Sequence, residues 1–118
     1  MEEAIGTLDR KLGHYAGRLQ EIQDELTRLE GKHQAGTLSE YDCKVCAEHV
    51  TQVMEAVDVL SLRRSMAEDA LRQGEEACAK KVCVLLVRRK RLLCDLNSCG
   101  VAADALATAA RRSALAVA

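Results

Sequence analysis

Residues 5–29 read IGTLDRKLGHYAGRLQEIQDELTRL. In this stretch Ile5, Leu8, Leu12, Tyr15, Leu19, Ile22, Leu26 and Leu29 alternate steps of three and four without a break. That spacing collects them into one stripe along a helix. A single helix over about Glu2–Glu30 follows, roughly 40 Å long at a rise of 1.5 Å per residue. Gly6, Gly13 and Gly17 weaken it, each by up to ~1 kcal/mol relative to Ala. The N-terminal end is therefore expected to fray or to lean on a neighbour. Gly31 and Gly36 bracket the turn GKHQAG and supply a helix stop.

The same alternation returns further on. Cys43, Cys46, Val50, Val53, Val57 and Leu60 step by three, four, three, four, three, behind a Thr37 or Ser39 N-cap with Glu40 or Asp42 three residues on. At 100° per residue, Glu48, Thr51, Glu55 and Asp58 fall together on the opposite side, within an arc of about 80°. One face of this second helix is apolar and the other acidic. Leu60–Gly74 is less regular, with an interruption expected at Arg63-Arg64-Ser65 and a break at Gly74. A third helix is expected over about Glu75–Asn97, with Val82, Leu85, Leu86, Leu93 and Leu96 as its apolar face and Cys78 one turn earlier. Arg89 falls in the middle of that face and must snorkel, pair with a buried acid or mark the helix leaving the core. After Gly100 the tail holds nine Ala in Val101–Ala118; continuation as a helix is open to it, but with too few large apolar residues to anchor itself it is expected to be loosely attached.

Length and composition agree with helices. The chain of 118 residues fits one domain with a modest core. It has no Pro, Phe or Trp and only two Tyr, so the core is aliphatic. Residues that lose little side-chain entropy in a helix dominate, and a β sandwich, which leans on β-branched and aromatic residues, is disfavoured. The expected fold class is all-α, an antiparallel three-helix bundle with long helices. Residues 1–99 form the bundle and 100–118 the Ala-rich tail.

Net charge is −1, but its distribution is uneven. Residues 1–76 carry 9 basic and 16 acidic side chains, and residues 77–118 carry 8 basic and 2 acidic. The halves attract each other, or each meets a partner patch of opposite sign. The acidic start shows no signal-peptide pattern, and the longest apolar run, Val82–Val87, is far short of the roughly 20 residues of a membrane span. Cytoplasm is the expected compartment, with the nucleus as second choice, and six reduced thiols follow.

Catalytic chemistry finds no support. His14, His33 and His49 are scattered, no nucleophile–base pair can be placed, and there is no glycine-rich phosphate loop. Cys43-x2-Cys46 resembles half of a zinc site, with Cys78-x4-Cys83 or Cys94-x4-Cys99 as candidate other halves. Both residues of the first pair lie on an apolar stripe, where Cys serves as a small hydrophobe. A redox CxxC at a helix start lacks its usual βαβ context. No metal and no cofactor are expected. Arg88-Arg89-Lys90-Arg91 is a short basic run without an aromatic platform, so nucleic acid is not an expected partner.

The three helices resemble a BAG domain, the three-helix module of co-chaperones for the 70-kDa heat-shock chaperones. Residues 47–58, AEHVTQVMEAVD, resemble IEQFMKILEEID of the founding member without a gap. Residues 19–27, LQEIQDELT, resemble its LEELNKELT, and Lys80-Lys81-Val82 resembles the KKV or KKI of the family's third helix. The resemblance spans about residues 5–97. It implies a nucleotide exchange factor that binds the chaperone's nucleotide-binding domain and favours its open, nucleotide-releasing form. Glu48 and Asp58 match the two acids of the second helix that contact the chaperone, and both lie on the acidic face. The third helix departs from the pattern: Glu75 stands at a family Arg, Glu76 at the next Lys and Cys83 at a family Gln.

The candidate partner-binding residues are thus Glu48, Glu55, Asp58, Lys80, Lys81 and Cys83. The expected function is a non-enzymatic co-chaperone. The alternative is a heptad-driven adaptor or homo-oligomer in which the 5–29 stripe meets another chain.

Overall fold

The computed structural model describes residues 1–117. Four helices account for almost all of it: α1 (Glu2–Gln34), α2 (Glu40–Asp58), α3 (Arg64–Arg72) and α4 (Glu76–Val117). The all-α expectation holds, but the count of three does not. The second leg of the bundle is two helices, because the chain leaves helical geometry between Asp58 and Arg64 and starts again.

Direction follows from the side-chain pairs. Lys32 meets Asp42 and Glu25 meets His49, so α1 and α2 run in opposite senses. Glu40 meets Arg111 while Leu60 and Leu62 meet Arg89, so α2 also opposes α4. Asp9 meets Arg88, and α1 lies beside α4 in the same sense. The rod measures 67 × 18 × 16 Å, and the 42 residues of α4 run nearly its full length at about 63 Å.

Two glycines end helices where an L side chain would be strained. Gly36 (φ 74°) and Gly74 (φ 75°) take the left-handed conformation. Each lets the next residue close the turn: Thr37 N–H donates to Lys32 O at 2.9 Å and Glu75 N–H to Ala70 O at 2.8 Å. Both are Schellman stops. Gly31, expected to help end α1, is instead helical, so α1 runs one turn past Glu30. Ser39 caps α2, its hydroxyl accepting from the Asp42 N–H at 3.5 Å.

The 5–29 stripe is the spine of the core. Ile5, Leu8, Leu12, Leu19, Ile22, Leu26 and Leu29 are all buried, and Tyr15 is half-buried against them. The glycine-rich start of α1 leans on α4 around Lys81, Leu85 and Arg88, the neighbour its sequence required. From α2 come Cys43, Cys46, Val50, Val53 and Val57. On α4, Val82, Leu85 and Leu96 are buried as expected. Leu92 takes the deep position expected of Leu93, and Leu86 and Leu93 are half-buried. The buried arc is wide because α4 packs against α1 on one side and α2 with α3 on the other.

The tail is the main correction. Helix α4 does not stop at Asn97 but passes through Gly100, and Ala103, Ala107 and Ala110 are buried. Large side chains were expected to be needed to anchor it. Small ones do so instead: a Cβ placed on Gly100 would lie 3.5 Å from the Val50 side chain, so α2 and α4 approach closely enough for alanines to fill the gap. Ala118, the last residue of the expected tail, lies outside the described residues.

Candidate partner-binding surface

The acidic face of α2 forms where the heptad pattern turns its back on the core. Glu48, Thr51, Glu55 and Asp58 are all exposed, along about 15 Å of helix axis from the first to the last. Thr51 bonds back to its own helix at Ala47 O, 3.1 Å, and Glu48 accepts a 3.5 Å bond from Gln52. Among the described residues, Glu48, Glu55 and Asp58 make no ion pair.

Acids elsewhere on the same helix behave differently. Glu40 Oε1 accepts from Arg111 Nη2 at 2.9 Å and Nε at 3.1 Å, and Lys44 Nζ lies 3.2 Å away. The Arg111 bonds, then Lys44, hold its carboxyl below the usual range. Asp42 lies 3.6 Å from Lys32. The acidic and basic halves of the chain therefore do meet, through Glu40–Arg111 and Asp9–Arg88. The outer stripe of α2 takes no part in that pairing.

Asp58 is the last residue of α2 and Glu55 lies in its last turn, which carries no basic residue. A helix C-terminus bears partial negative charge, so each carboxylate there is unfavourable by about 0.3–1 kcal/mol. Among the described residues neither carboxylate has an ion-pair partner to offset this.

Lys80, Lys81 and Cys83 are exposed on the first turns of α4, away from the acidic stripe. Arg89, bonded to Leu62, marks the level just past the end of α2, and Lys81 lies about 12 Å further along α4. Lys80 and Lys81 line a depression shared with Glu2 and Asp9 of α1. Of the six expected contact residues the structure unites three, Glu48, Glu55 and Asp58. Glu75 sits in the turn between α3 and α4.

The thiols occupy core positions. Cys43, Cys46, Cys78 and Cys99 are buried, while Cys83 and Cys94 are exposed. Burial pushes the Cys43 and Cys99 thiols up, and Cys46 up to about 12 with a smaller contribution from Glu25. Raised thiols are poor metal ligands and poor nucleophiles. No three His, Cys, Asp or Glu side chains converge as a metal site among the described residues. No helix among them is long and apolar enough to cross a membrane.

Arg89 has a function the spacing only flagged as a conflict. It is half-buried, and its Nη1 donates to Leu62 O at 2.8 Å and to Leu60 O at 3.5 Å, holding the linker between α2 and α3 against α4. Beside it opens a cleft between α2, α3 and α4 that no single-helix pattern revealed. Two signals pointed there: the irregular Leu60–Gly74 segment and the Arg88–Arg91 run.

No protein-family model, no curated protein and no solved structure matches the chain.

Proposed function

We propose that this chain is a non-catalytic binding module that lays the acidic outer face of α2 on a basic surface of a partner protein. The partner in this reading is the nucleotide-binding domain of a 70-kDa heat-shock chaperone, whose nucleotide release the module promotes. The observation that carries the binding surface is the set of uncompensated carboxylates at Glu48, Glu55 and Asp58, two of them at the unfavourable end of their helix. A locally costly placement with no ion-pair partner among the described residues supports a surface kept for something outside the fold.

The choice of partner rests on the resemblance of residues 19–27 and 47–58 to the BAG domain. Glu48 and Asp58 then take charge-assisted hydrogen bonds from Arg or Lys of the chaperone. If those bonds form only with the open domain, binding shifts the population toward nucleotide release, because a ligand moves an equilibrium only by differential affinity. Glu75, in the turn before α4, and Cys83 on α4 weigh against a full family contact there, so α2 carries most of the interaction. A cytoplasmic location goes with that partner.

Release of fluorescent ADP from the chaperone's nucleotide-binding domain is the direct test. Addition of the chain accelerates release, and Glu48→Ala with Asp58→Ala removes the acceleration. Absence of both acceleration and binding for the unaltered chain sinks the reading. The alternative, assembly through the 5–29 stripe, would have to draw its apolar residues out of the core of the single chain.

A further inference from the structure

The cleft between α2, α3 and α4, about 870 Å³ in volume, takes no part in the chaperone reading. It exists because the second leg of the bundle breaks after Asp58, which leaves one side of α4 less covered there. Arg89 ties the break to α4 through the Leu60 and Leu62 carbonyls, at one end of the opening.

Its lining combines two properties. Met54, Leu86 and Leu93 are half-buried and form an apolar floor. Arg64, Arg89 and Lys90 bring three cations, with no carboxylate among the lining residues described. Arg64 and Lys90 are exposed and enter no ion pair or side-chain hydrogen bond among the described residues. An occupant must therefore present apolar side chains with anionic groups beside them. Because the cleft is open to solvent, it suits a polypeptide better than a small molecule, which needs most of its surface enclosed. Leu86, Lys90, Leu93 and Asn97 follow one another at steps of four, three and four along the lining, so the trough runs with α4 for about 16 Å, some three helical turns.

We propose that this trough receives an acidic amphipathic helix of a partner protein, apolar residues seated on Met54, Leu86 and Leu93 and carboxylates against Arg64 and Lys90. Helix-in-groove recognition uses this arrangement of anchors at helical spacing. A second copy of the chain fits less well. Its acidic face on α2 has only Tyr41 and Val59 as large apolar residues, at opposite ends of the helix, and no row of them to fill the floor.

The probe is a synthetic peptide of about 15 residues, four helical turns, with Leu on one face and Glu on the others. Its counterpart has Lys for Glu. Fluorescence anisotropy with the full chain detects binding of the Glu peptide, and the amide resonances of Met54, Leu86 and Leu93 shift on its addition. The double variant Arg64→Glu/Lys90→Glu, checked for unchanged helicity, weakens binding by about tenfold or more. The variant Glu48→Lys/Asp58→Lys, which the chaperone reading requires to abolish the acceleration of nucleotide release, does not weaken it, so the two readings fail separately. No binding of the Glu peptide, equal binding of the Lys peptide, or undiminished binding by the double variant overturns the proposal. So does concentration-dependent dimerisation in the ultracentrifuge that the same double variant abolishes.

Discussion

The Arg89 guanidinium donates to the carbonyl oxygen of Leu62 at 2.8 Å, across the point where the second leg of the bundle breaks. Leu62 itself is 1% exposed, so its carbonyl has little access to water and depends on that donor. An apolar residue at position 89 would match the neighbouring face of α4 yet leave the Leu62 carbonyl unpaired, while Leu60 O keeps its bond from the Leu62 N–H at 2.8 Å. Arg89→Leu is therefore expected to destabilise the fold by about 1–3 kcal/mol, the cost of an unsatisfied buried acceptor. Arg89→Lys, which keeps one donor but loses the planar fork, falls between. Urea denaturation decides it: an unchanged midpoint for Arg89→Leu shows that the bond is incidental.

Gly100 sits in the interior of α4, where glycine costs roughly 0.5–1 kcal/mol relative to alanine. A Cβ there would make ordinary contact with Val50 at 3.5 Å. Gly100→Ala should accordingly raise stability by about that amount. Gly100→Leu should lower it by about 1–3 kcal/mol, because the larger side chain forces α2 and α4 apart. Thermal melts of the two variants, moving in opposite directions, check the closeness of this helix pair.

Much of this architecture was legible in residues 5–60. A stripe such as Ile5–Leu29 or Cys43–Leu60 reports which face is buried without reference to any other helix, and both faces are buried as read, save that Tyr15 is half-buried and Leu60 is half-buried beyond the end of α2. The acidic face of α2 followed from the same arithmetic. What escaped was information carried by pairs of helices. Ala103 and Ala107 look too small to anchor anything until Gly100 brings α2 close, and Arg89 looks misplaced until the Leu60 and Leu62 carbonyls are seen beneath it. The cleft beside Arg89 was marked only by the irregular Leu60–Gly74 segment and the Arg88–Arg91 run, since its lining comes from three helices and arises where one of them stops.

The Glu40–Arg111 contact makes a prediction about acid. Arg111, and after it Lys44, lowers the Glu40 pKa below its ordinary 4.5. A carboxyl depressed in the folded state stabilises the fold above its unfolded pKa, and that contribution fades as pH falls through the lower folded value. Arg111→Ala removes the largest cause. The Glu40 carboxyl, followed by carbon NMR, should then titrate at higher pH, and stability should fall less steeply below pH 4.5. A titration unmoved by the substitution means that the end of α4 is not tied to the start of α2.

Thiol chemistry separates the six cysteines into two groups. Cys83 and Cys94 are exposed and should react promptly with an aromatic disulfide at mildly alkaline pH. Cys43, Cys46, Cys78 and Cys99 are buried and should react only as the protein unfolds. Burial, the largest cause, pushes the Cys46 thiol up to about 12. Its raised pKa stabilises the fold below the unfolded value, and that share is lost as pH rises from 9 toward 12. Prompt release of more than two equivalents from the native chain contradicts the buried assignments.

Asp58 closes α2 with a negative charge where the helix dipole is already negative, and the last turn holds no basic residue to offset it. Replacing it with Asn or Lys should make the fold more stable by about 0.3–1 kcal/mol, the reverse of what most substitutions do. The same change should weaken binding to a basic partner surface, because it removes a charge-assisted acceptor. A residue that costs stability and supports binding separates function from structure in one pair of measurements, denaturant midpoint and partner affinity. Should Asp58→Lys lower both, the carboxylate is a structural element of the α2 terminus and not a contact kept for a partner.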